Sequence, residues 1–222
     1  MHDHFTDSQF GSYAMFVLAI TGLYQSAKME GVSPKSIEAL RVGGNKAIKT
    51  LLLSSETASR HYLIGLSNGD PSESMLRSKA EFMCSMQKVA NDNLNELVLR
   101  AKGALVTLNM TDSPAMTALM QKHIDSTTFQ VRDKSGKKWQ ADRYVKTLTR
   151  QFSVNAALDA KVEELAEKGD LAKIDYDDTN HEGHGLIVSL TGATPNVRTL
   201  AAVRAKVFHP YSKAKLVSYV HA

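Results

Sequence analysis

Three histidines in the last third of the chain come nearest to a catalytic spacing. His181 and His184 are separated by two residues, and His209 follows downstream. Two histidines at this spacing can bind one zinc ion if they share a helical face or a tight loop, and a third would complete the site with Glu182 as a base. The surrounding Asp-, Asn- and Gly-rich segment predicts a loop, unlike the helix of an H-E-x-x-H metalloprotease. We therefore expect no bound metal and keep a metal-dependent hydrolase using the three histidines as an alternative function.

The other candidate nucleophiles have unsuitable surroundings. Ser189 lies in a predicted strand and not at a G-x-S-x-G elbow. Cys84, the single cysteine, falls at helical spacing among Met83, Met86 and Val89, which predicts burial as a small hydrophobic residue. We expect a protein without catalytic residues and without a cofactor.

Charge is segregated along the second half of the chain, although the formal net charge is +4. Residues 129–150 carry seven Lys or Arg, residues 156–182 carry nine acids against three lysines, and no acid follows Glu182. A positive surface suits phosphates or an acidic protein partner. The cations predicted to face nucleic acid are Arg132, Lys134, Lys137, Lys138 and Arg143. The alternative is a solvated face with ordinary ion pairs.

Residues 1–126 predict a helical region for assembly or docking. An apolar stripe from Tyr13 to Tyr24 marks the first helix, and Ser33 caps a second helix that Gly43-Gly44 weakens. Five methionines between Met75 and Met116 indicate either core filling or an adaptable groove, and core filling is the stronger interpretation.

Two further helix starts follow in this region. Asp70 with Glu73 resembles a capping box at the start of a long helix. The segment Thr111-Asp112-Ser113-Pro114 predicts a last helix that ends near Ile124. The composition then changes, and we place a domain boundary there.

Residues 127–222 predict a small α+β domain with a β-hairpin and a short mixed sheet, which makes the whole chain α+β. Residues 129–139 form the hairpin, with Gly136 at positive φ in the turn and Trp139 at the end. A helix over Ala141–Phe152 and a separate acidic helix ending at Gly169-Asp170 are expected next. Strands are predicted around residues 174–176 and 185–192.

This order of motifs resembles the C-terminal domain of the minor capsid (minor head) proteins of tailed bacteriophages, over roughly residues 129–219. In that family a D-x-x-G-R/K-x-W hairpin leads to a Y-x-x-M/L-x-R-T helix, a G-x-I/V-x-S-x-x-G strand and a closing F-H-P-N-C-R-H-x-L-x-P/S-Y block. The matching residues are Trp139, Tyr144, Leu148, Arg150, Ser189, Gly192, Phe208, His209, Pro210, Leu216 and Tyr219. The chain departs from the pattern at Tyr211, Ser212 and Ala214, where the family has Asn, Cys and His.

The resemblance implies a structural virion protein that assembles in the host cytoplasm and lies near the portal vertex inside the head. It implies the portal protein, the major capsid protein and packaged double-stranded DNA as partners, and an oligomeric state. We expect no membrane partner, because the longest apolar run, Ala14–Leu23, is too short to span a bilayer. A cytoplasmic nucleic-acid-binding regulator is a further alternative, since residues 141–152 partly match a recognition helix.

Two structural expectations follow for the C-terminal domain. Trp139 should pack on Tyr144 or Phe152, and its replacement by Ala should cost about 3–5 kcal/mol, as for a large core aromatic residue. The closing block should be a structural clasp and not a metal site.

Within the clasp, His209 is expected to be partly buried. It should hydrogen-bond a backbone carbonyl or an acid such as Asp175 or Asp177. Pro210 should fix the backbone beside it.

Overall fold

The computed structural model describes residues 2–107, 118, 122, 124, 126, 128–133, 135–179 and 181–219. Within these ranges the order is α1 His2–Met29, α2 Pro34–Leu66, α3 Glu73–Thr107, β1 Gln130–Arg132, β2 Lys138–Gln140, α4 Ala141–Ala166, β3 Leu171–Asp175, β4 Ile187–Ser189, α5 Leu200–Val207 and β5 Lys215–Ser218. A helical N-terminal half thus precedes a region with two small sheets. The predicted α+β class is confirmed.

The chain divides into two compact units. Unit 1 contains Met1–Phe5, Ser59–Phe82 and Thr147–Ala222, and unit 2 contains Thr6–Ala58 and Met83–Lys146. The hairpin β1–β2 belongs to unit 2, and the three-stranded sheet belongs to unit 1. The boundary predicted near residue 126 stays a prediction, and most of the helix predicted from Thr111 to Ile124 lies outside the described residues.

The starts of α2 and α3 are set by serine caps. Ser33 Oγ accepts the N–H of Ser36 at 3.1 Å, and Ser36 Oγ accepts the N–H of Ser33 at 2.8 Å, which confirms the predicted start of α2. The predicted cap of α3 at Asp70 was wrong. The helix begins at Glu73 because Ser72, directly before it, accepts a backbone N–H three residues on at 3.4 Å.

Two adjacent glycines bring helices of unit 2 close together. A Cβ on Gly44 would lie 2.2 Å from Leu94 Cδ1, and a Cβ on Gly43 would lie 2.8 Å from Leu23 Cδ1. Since α2 runs through both positions as one helix, the missing side chains let it pack closely against α1 and α3.

The side chains of α3 divide between a buried face and an exposed face, and the exposed face includes the apolar residues Leu76 and Leu99. Met75, Met86, Leu94 and Leu97 are buried, so two of the described methionines fill the core. Cys84 is exposed, and the prediction of its burial was wrong. It lies two positions from Met86, and a two-residue step turns a side chain to the other side of a helix. Met110 and Met116 are outside the described residues.

The apolar run Ala14–Leu23 lies within α1. Its side chains divide between a buried face, with Phe16 and Ile20, and an exposed face, with Met15 and Leu18. None of the helices in the described ranges has the length and apolar character needed to cross a membrane.

One helix replaces the two that were predicted after the hairpin. α4 is 26 residues long, from Ala141 to Ala166, and so continues past the expected break after Phe152. The polar residue at that point is satisfied inside the helix, since Ser153 Oγ donates to the carbonyl of Thr149 at 3.1 Å.

An aromatic cluster in unit 1 explains why α4 does not end there. The ring of Phe152 lies 4.8 Å from that of Phe82, 5.5 Å from that of Phe5 and 6.1 Å from that of Tyr62. Tyr62 also donates its hydroxyl to the carbonyl of Ser153 at 3.4 Å. Packing on this cluster stabilises the helix across the expected break.

The three-stranded sheet of unit 1 has the order β4-β3-β5, with both ladders antiparallel. A mixed sheet was expected, but the described strands of this sheet are all antiparallel, and the parallel pairing of Ser189 with Thr199 is an isolated bridge outside the ladders. The core of this unit is built on Ala172, Ile174, Val188, Leu200, Phe208 and Leu216.

Candidate nucleic-acid interface

The hairpin separates an inner apolar face from an outer polar face. Val131 pairs with Trp139 and Arg132 pairs with Lys138 across the two strands. Residues directly opposite each other in an antiparallel pair point to the same side. Val131 is buried, whereas Arg132 and Lys138 are both exposed. The outer face of the hairpin therefore presents two cations side by side.

Asp133 closes the turn of the hairpin. Its Oδ1 accepts the Ser135 N–H at 2.9 Å, the Ser135 hydroxyl at 2.7 Å and the Lys137 N–H at 3.0 Å. Its Oδ2 accepts the Trp139 indole N–H at 2.8 Å. The bonds from the side chains of Ser135 and then Trp139 lower the pKa of Asp133 to about 2. Gly136 has a φ of +83°, which confirms the predicted turn.

Asp133 was not predicted to have a role, although it is the first residue of the D-x-x-G-R/K-x-W pattern. The available signal was its place at the first position of a D-x-S-G turn, where Asp side chains accept the N–H two residues on. A carboxylate with several donors in one turn fixes the direction of both strands.

Trp139 packs on Tyr144 as predicted, with the ring centroids 6.3 Å apart and the planes tilted by 56°. Lys137 Nζ lies 4.5 Å from the centroid of the Trp139 ring, within the range of a cation–π interaction. Trp139 is only half-buried, so the expected loss of about 3–5 kcal/mol, which assumed a core residue, is revised. We now expect about 1–3 kcal/mol on replacement by Ala.

The predicted phosphate-binding cations are accessible. Arg132, Lys137, Lys138 and Arg143 are all exposed, and Lys134 lies outside the described residues. Within the described part of the chain, none of these four forms an ion pair with a carboxylate. Arg132 donates from its guanidinium to the carbonyl of Gly136 at 3.0 Å, a neutral acceptor that does not compensate its charge.

Lys88 on α3 adds a cation that sequence reasoning missed. Its Nζ lies 3.4 Å from the carbonyl oxygen of Arg132 and 2.9 Å from Asp92 Oδ2. The sequence offers no signal for this contact, because 44 residues separate the two partners. Lys88 ties α3 to β1 but has its own acidic partner.

The basic block at the end of the chain is different, because acids compensate three of its cations. Lys206 pairs with Glu182 at 2.9 Å, Lys215 with Asp177 at 2.8 Å and Arg204 with Asp159 at 2.6 Å. Lys215 lowers the pKa of Asp177, and Asp177 raises that of Lys215. The ion-pair alternative therefore describes this block, whereas the hairpin keeps exposed positive charge.

The histidines proposed as zinc ligands bond to nearby backbone groups. His181 Nδ1 accepts the N–H of Gly183 at 3.1 Å, and its ring stacks on Tyr176 with 3.8 Å between centroids. His184 Nδ1 accepts the N–H of Tyr176 at 3.2 Å. No three His, Cys, Asp or Glu side chains in the described ranges are placed to hold one metal ion.

His209 also bonds locally, against expectation. It is exposed, and its Nδ1 accepts the N–H of Tyr211 at 3.3 Å. The predicted bond to Asp175 or Asp177 was wrong, because Asp177 pairs with Lys215 and Asp175 Oδ1 lies 3.5 Å from His184. His209 and Tyr211 are two residues apart in one turn, so the ring nitrogen accepts this N–H without a partner from elsewhere in the fold.

The neighbours of His209 hold the closing block in place. Phe208 is buried, and its carbonyl accepts a bond from Gln151 Nε2 at 3.2 Å. Pro210 is half-buried, and the Arg150 guanidinium lies 5.0 Å from the ring centroid of Tyr211. Arg150 thus contacts the aromatic residue that stands where the resembled family has Asn.

Asp170 binds Ser189 at the end of β4 and the loop that follows it, which contains Gly192. The buried Ser189 hydroxyl donates to Asp170 Oδ2 at 2.6 Å and accepts the N–H of Gly192 at 2.8 Å. Thr191 donates its N–H and hydroxyl to Oδ1 at 2.8 and 2.6 Å, and Thr194 donates the same two groups to Oδ2 at 3.0 and 2.6 Å. These bonds, led by that from Ser189, hold the pKa of Asp170 well below its usual range.

A cleft in unit 1 has the wrong charge for an anion. It has a volume of about 400 Å³ and lies between the end of α2 and the side of α4. Glu163, Glu164 and Glu167 line it, and bonds from Lys161 and Lys168 lower the pKa of Glu164. The exposed cations of the hairpin are therefore the better candidate for nucleic acid.

Comparison of the chain with models of protein families, with curated proteins and with solved structures gives no match.

Proposed function

We propose that this chain is a structural virion protein of a tailed phage, and that its hairpin contacts the phosphate backbone of packaged double-stranded DNA. The DNA contact is supported by Arg132, which lies directly opposite Lys138 on the exposed face, and neither of them pairs with a carboxylate among the described residues. The virion assignment is supported by the order of the sequence motifs between residues 129 and 219. The proposed protein neighbours are the portal and major capsid proteins.

The Arg132–Lys138 pair carries the DNA proposal because it is unfavourable without a ligand. Like charges directly opposite each other in a β-ladder repel and destabilise it. An anion between the two side chains would convert that repulsion into two attractions. Lys137, beside the turn, and Arg143, three residues after β2, extend the positive charge beyond the pair.

The expected binding is independent of base sequence. Lysine and arginine contacts to phosphates position a protein on DNA but carry no base information. The proposed role is therefore to hold DNA by its backbone, by binding and not by catalysis.

Salt-dependent binding to a fluorescent 30-base-pair duplex tests the DNA contact. The wild type should bind with an affinity that falls steeply with salt and does not depend on sequence. The double variant R132Q/K138Q should lower the log–log slope by roughly two, since about 0.9 counterion is released per phosphate contact. A slope equal to that of the wild type would contradict the proposal.

The matched control is K46Q/K49Q. Both lysines are exposed on α2, and the double variant removes the same total charge. Its slope should remain close to that of the wild type if the hairpin makes the contact. Equal losses for both double variants would show binding through net charge alone.

The virion assignment is tested separately by electron microscopy of purified particles with labelled protein. The label should lie at a single vertex beside the portal. A label throughout the shell, or a protein missing from particles, would contradict this part of the proposal and leave the DNA measurement intact.

A further inference from the structure

Helix α1 has an exposed stripe without charge. At intervals of three or four residues, one side of the helix is exposed at Ser8, Gly11, Met15, Leu18, Gly22, Ser26 and Met29, which we call the outer stripe. No Asp, Glu, Lys or Arg occurs between Ser8 and Ala27. The solvent-facing side of a surface helix normally carries charged and polar residues. The outer stripe therefore has the composition of a covered surface.

The large side chains of the outer stripe are highly exposed. Met15, Leu18 and Met29 are 67%, 65% and 87% exposed. On the same stripe, a Cβ added to Gly11 or Gly22 would meet nothing within 4 Å. The stripe thus alternates protruding apolar side chains with positions where another helix can approach closely.

We infer that the outer stripe binds the outer stripe of a second copy of this chain, with the two α1 helices antiparallel. This inference is independent of the DNA proposal. It rests on self-complementarity. When the stripe of one copy faces the stripe of another copy in the opposite direction, large side chains fall opposite small ones.

The match appears when a two-fold axis is placed between Leu18 and Ala19. Each large residue of the stripe then lies opposite a small one: Met15 opposite Gly22, Met29 opposite Ser8, and Leu18 opposite Ala19, which is exposed beside the stripe. The small residues Gly11 and Ser26 lie opposite each other. A two-fold interface requires such reciprocal pairing, because the same patch serves both copies. An unrelated partner would not require the stripe to complement itself.

The helix dipoles favour the antiparallel direction. Opposed helices place each positive N-terminus beside a negative C-terminus. In this register Asp7 of one copy lies opposite Glu30 of the other and within one helical turn of Lys28, so the side-chain charges at the ends do not decide the direction.

Sedimentation of the full chain over a range of concentrations tests the dimer. The wild type should shift from monomer to dimer as its concentration rises. L18K should weaken the dimer at least about tenfold, because it places two lysines at the two-fold axis. L99K is the control, since Leu99 is an equally exposed leucine on α3, and it should leave the equilibrium unchanged.

Cysteine pairing in a C84S background tests the register and does not depend on the stability of L18K. A mixture of M15C and G22C proteins should form a disulfide-linked dimer on mild oxidation, whereas M15C alone should not. Cross-linking of M15C to itself would indicate parallel helices and overturn the inference. A wild type that stays monomeric, or that uses Leu18 to bind phospholipid vesicles as a monomer, would overturn it as well.

Discussion

Two loops of the molecule are each closed by one aspartate that accepts several hydrogen bonds. In unit 2, Asp133 accepts bonds from Ser135, Lys137 and Trp139, all within six residues. In unit 1, Asp170 accepts bonds from hydroxyl residues that follow it by 19 to 24 positions. The first aspartate shapes a turn, whereas the second joins the start of β3 to the loop after β4.

The difference indicates separate roles for the two carboxylates. Asp133 can form its bonds within one hairpin, so its contribution is local. By closing the turn, it positions the cations on the neighbouring strands. The bonds of Asp170 form only when β3 and β4 are paired, so they depend on the fold of unit 1. We expect loss of Asp170 to destabilise the unit, and loss of Asp133 to disturb mainly the hairpin.

The largest effect is expected for D170A. Removal of the carboxylate leaves the buried Ser189 hydroxyl without its acceptor, and we expect a loss of roughly 2–3 kcal/mol in the free energy of unfolding. Urea unfolding measures this loss, and hydrogen exchange shows whether it is located in β3 and β4. D133A should change β3 and β4 exchange little, and equal effects of the two variants there would end the distinction.

A double-mutant cycle isolates the bond between Asp170 and Ser189. D170A/S189A should be less destabilised than the two single variants together, because neither partner is then left unpaired. Additive losses would show that the bond is not the source of the effect.

A smaller effect is expected in the hairpin for Trp139. W139F keeps an aromatic ring near Tyr144 but loses the indole donor to Asp133, and should cost about 1 kcal/mol. W139A loses the ring as well and should cost about 1–3 kcal/mol. If thermal unfolding shows W139F to be as stable as the wild type, the indole bond does not hold the turn.

Acid should weaken both loops. Hydrogen bonds lower the folded pKa of Asp133 to about 2, from 3.8 without them, and they lower that of Asp170 as well. The unfolded chain therefore takes up protons first, so the stabilisation is present above about pH 4 and is lost as the pH falls towards 2. The difference in melting temperature between wild type and D133N should shrink over this window. A difference that stays constant between pH 6 and pH 2.5 would contradict this linkage.

The sequence predicts best those features whose partners are near in the chain. Gly136 and the cap at Ser33 were predicted because turns and helix starts depend on a few adjacent residues. The contacts of Asp170 were missed because hydroxyl donors around Gly192 have no fixed spacing from an acid. The burial of Cys84 was predicted wrongly because apolar residues occur on more than one side of α3, and only the packing partners decide which side is buried.

The continuous α4 and the exposed His209 show the same limit. Local residues favoured a break after Phe152, but aromatic partners distant in sequence hold the helix together. Likewise Lys215 occupies the acid that was expected to bind His209. The exposed cations of the hairpin were predictable, whereas the compensation of the C-terminal cations required the fold.

The most direct test of the DNA proposal is the affinity of D133N for duplex DNA at low salt. This variant removes a negative charge beside the cations, so charge alone would tighten binding. If the closed turn positions Arg132 and Lys138, D133N should instead bind more weakly than the wild type. D142N is the control, since it removes an exposed acid from the first turn of α4 and should bind slightly more tightly. Tighter binding by D133N, equal to that of D142N, would contradict the account.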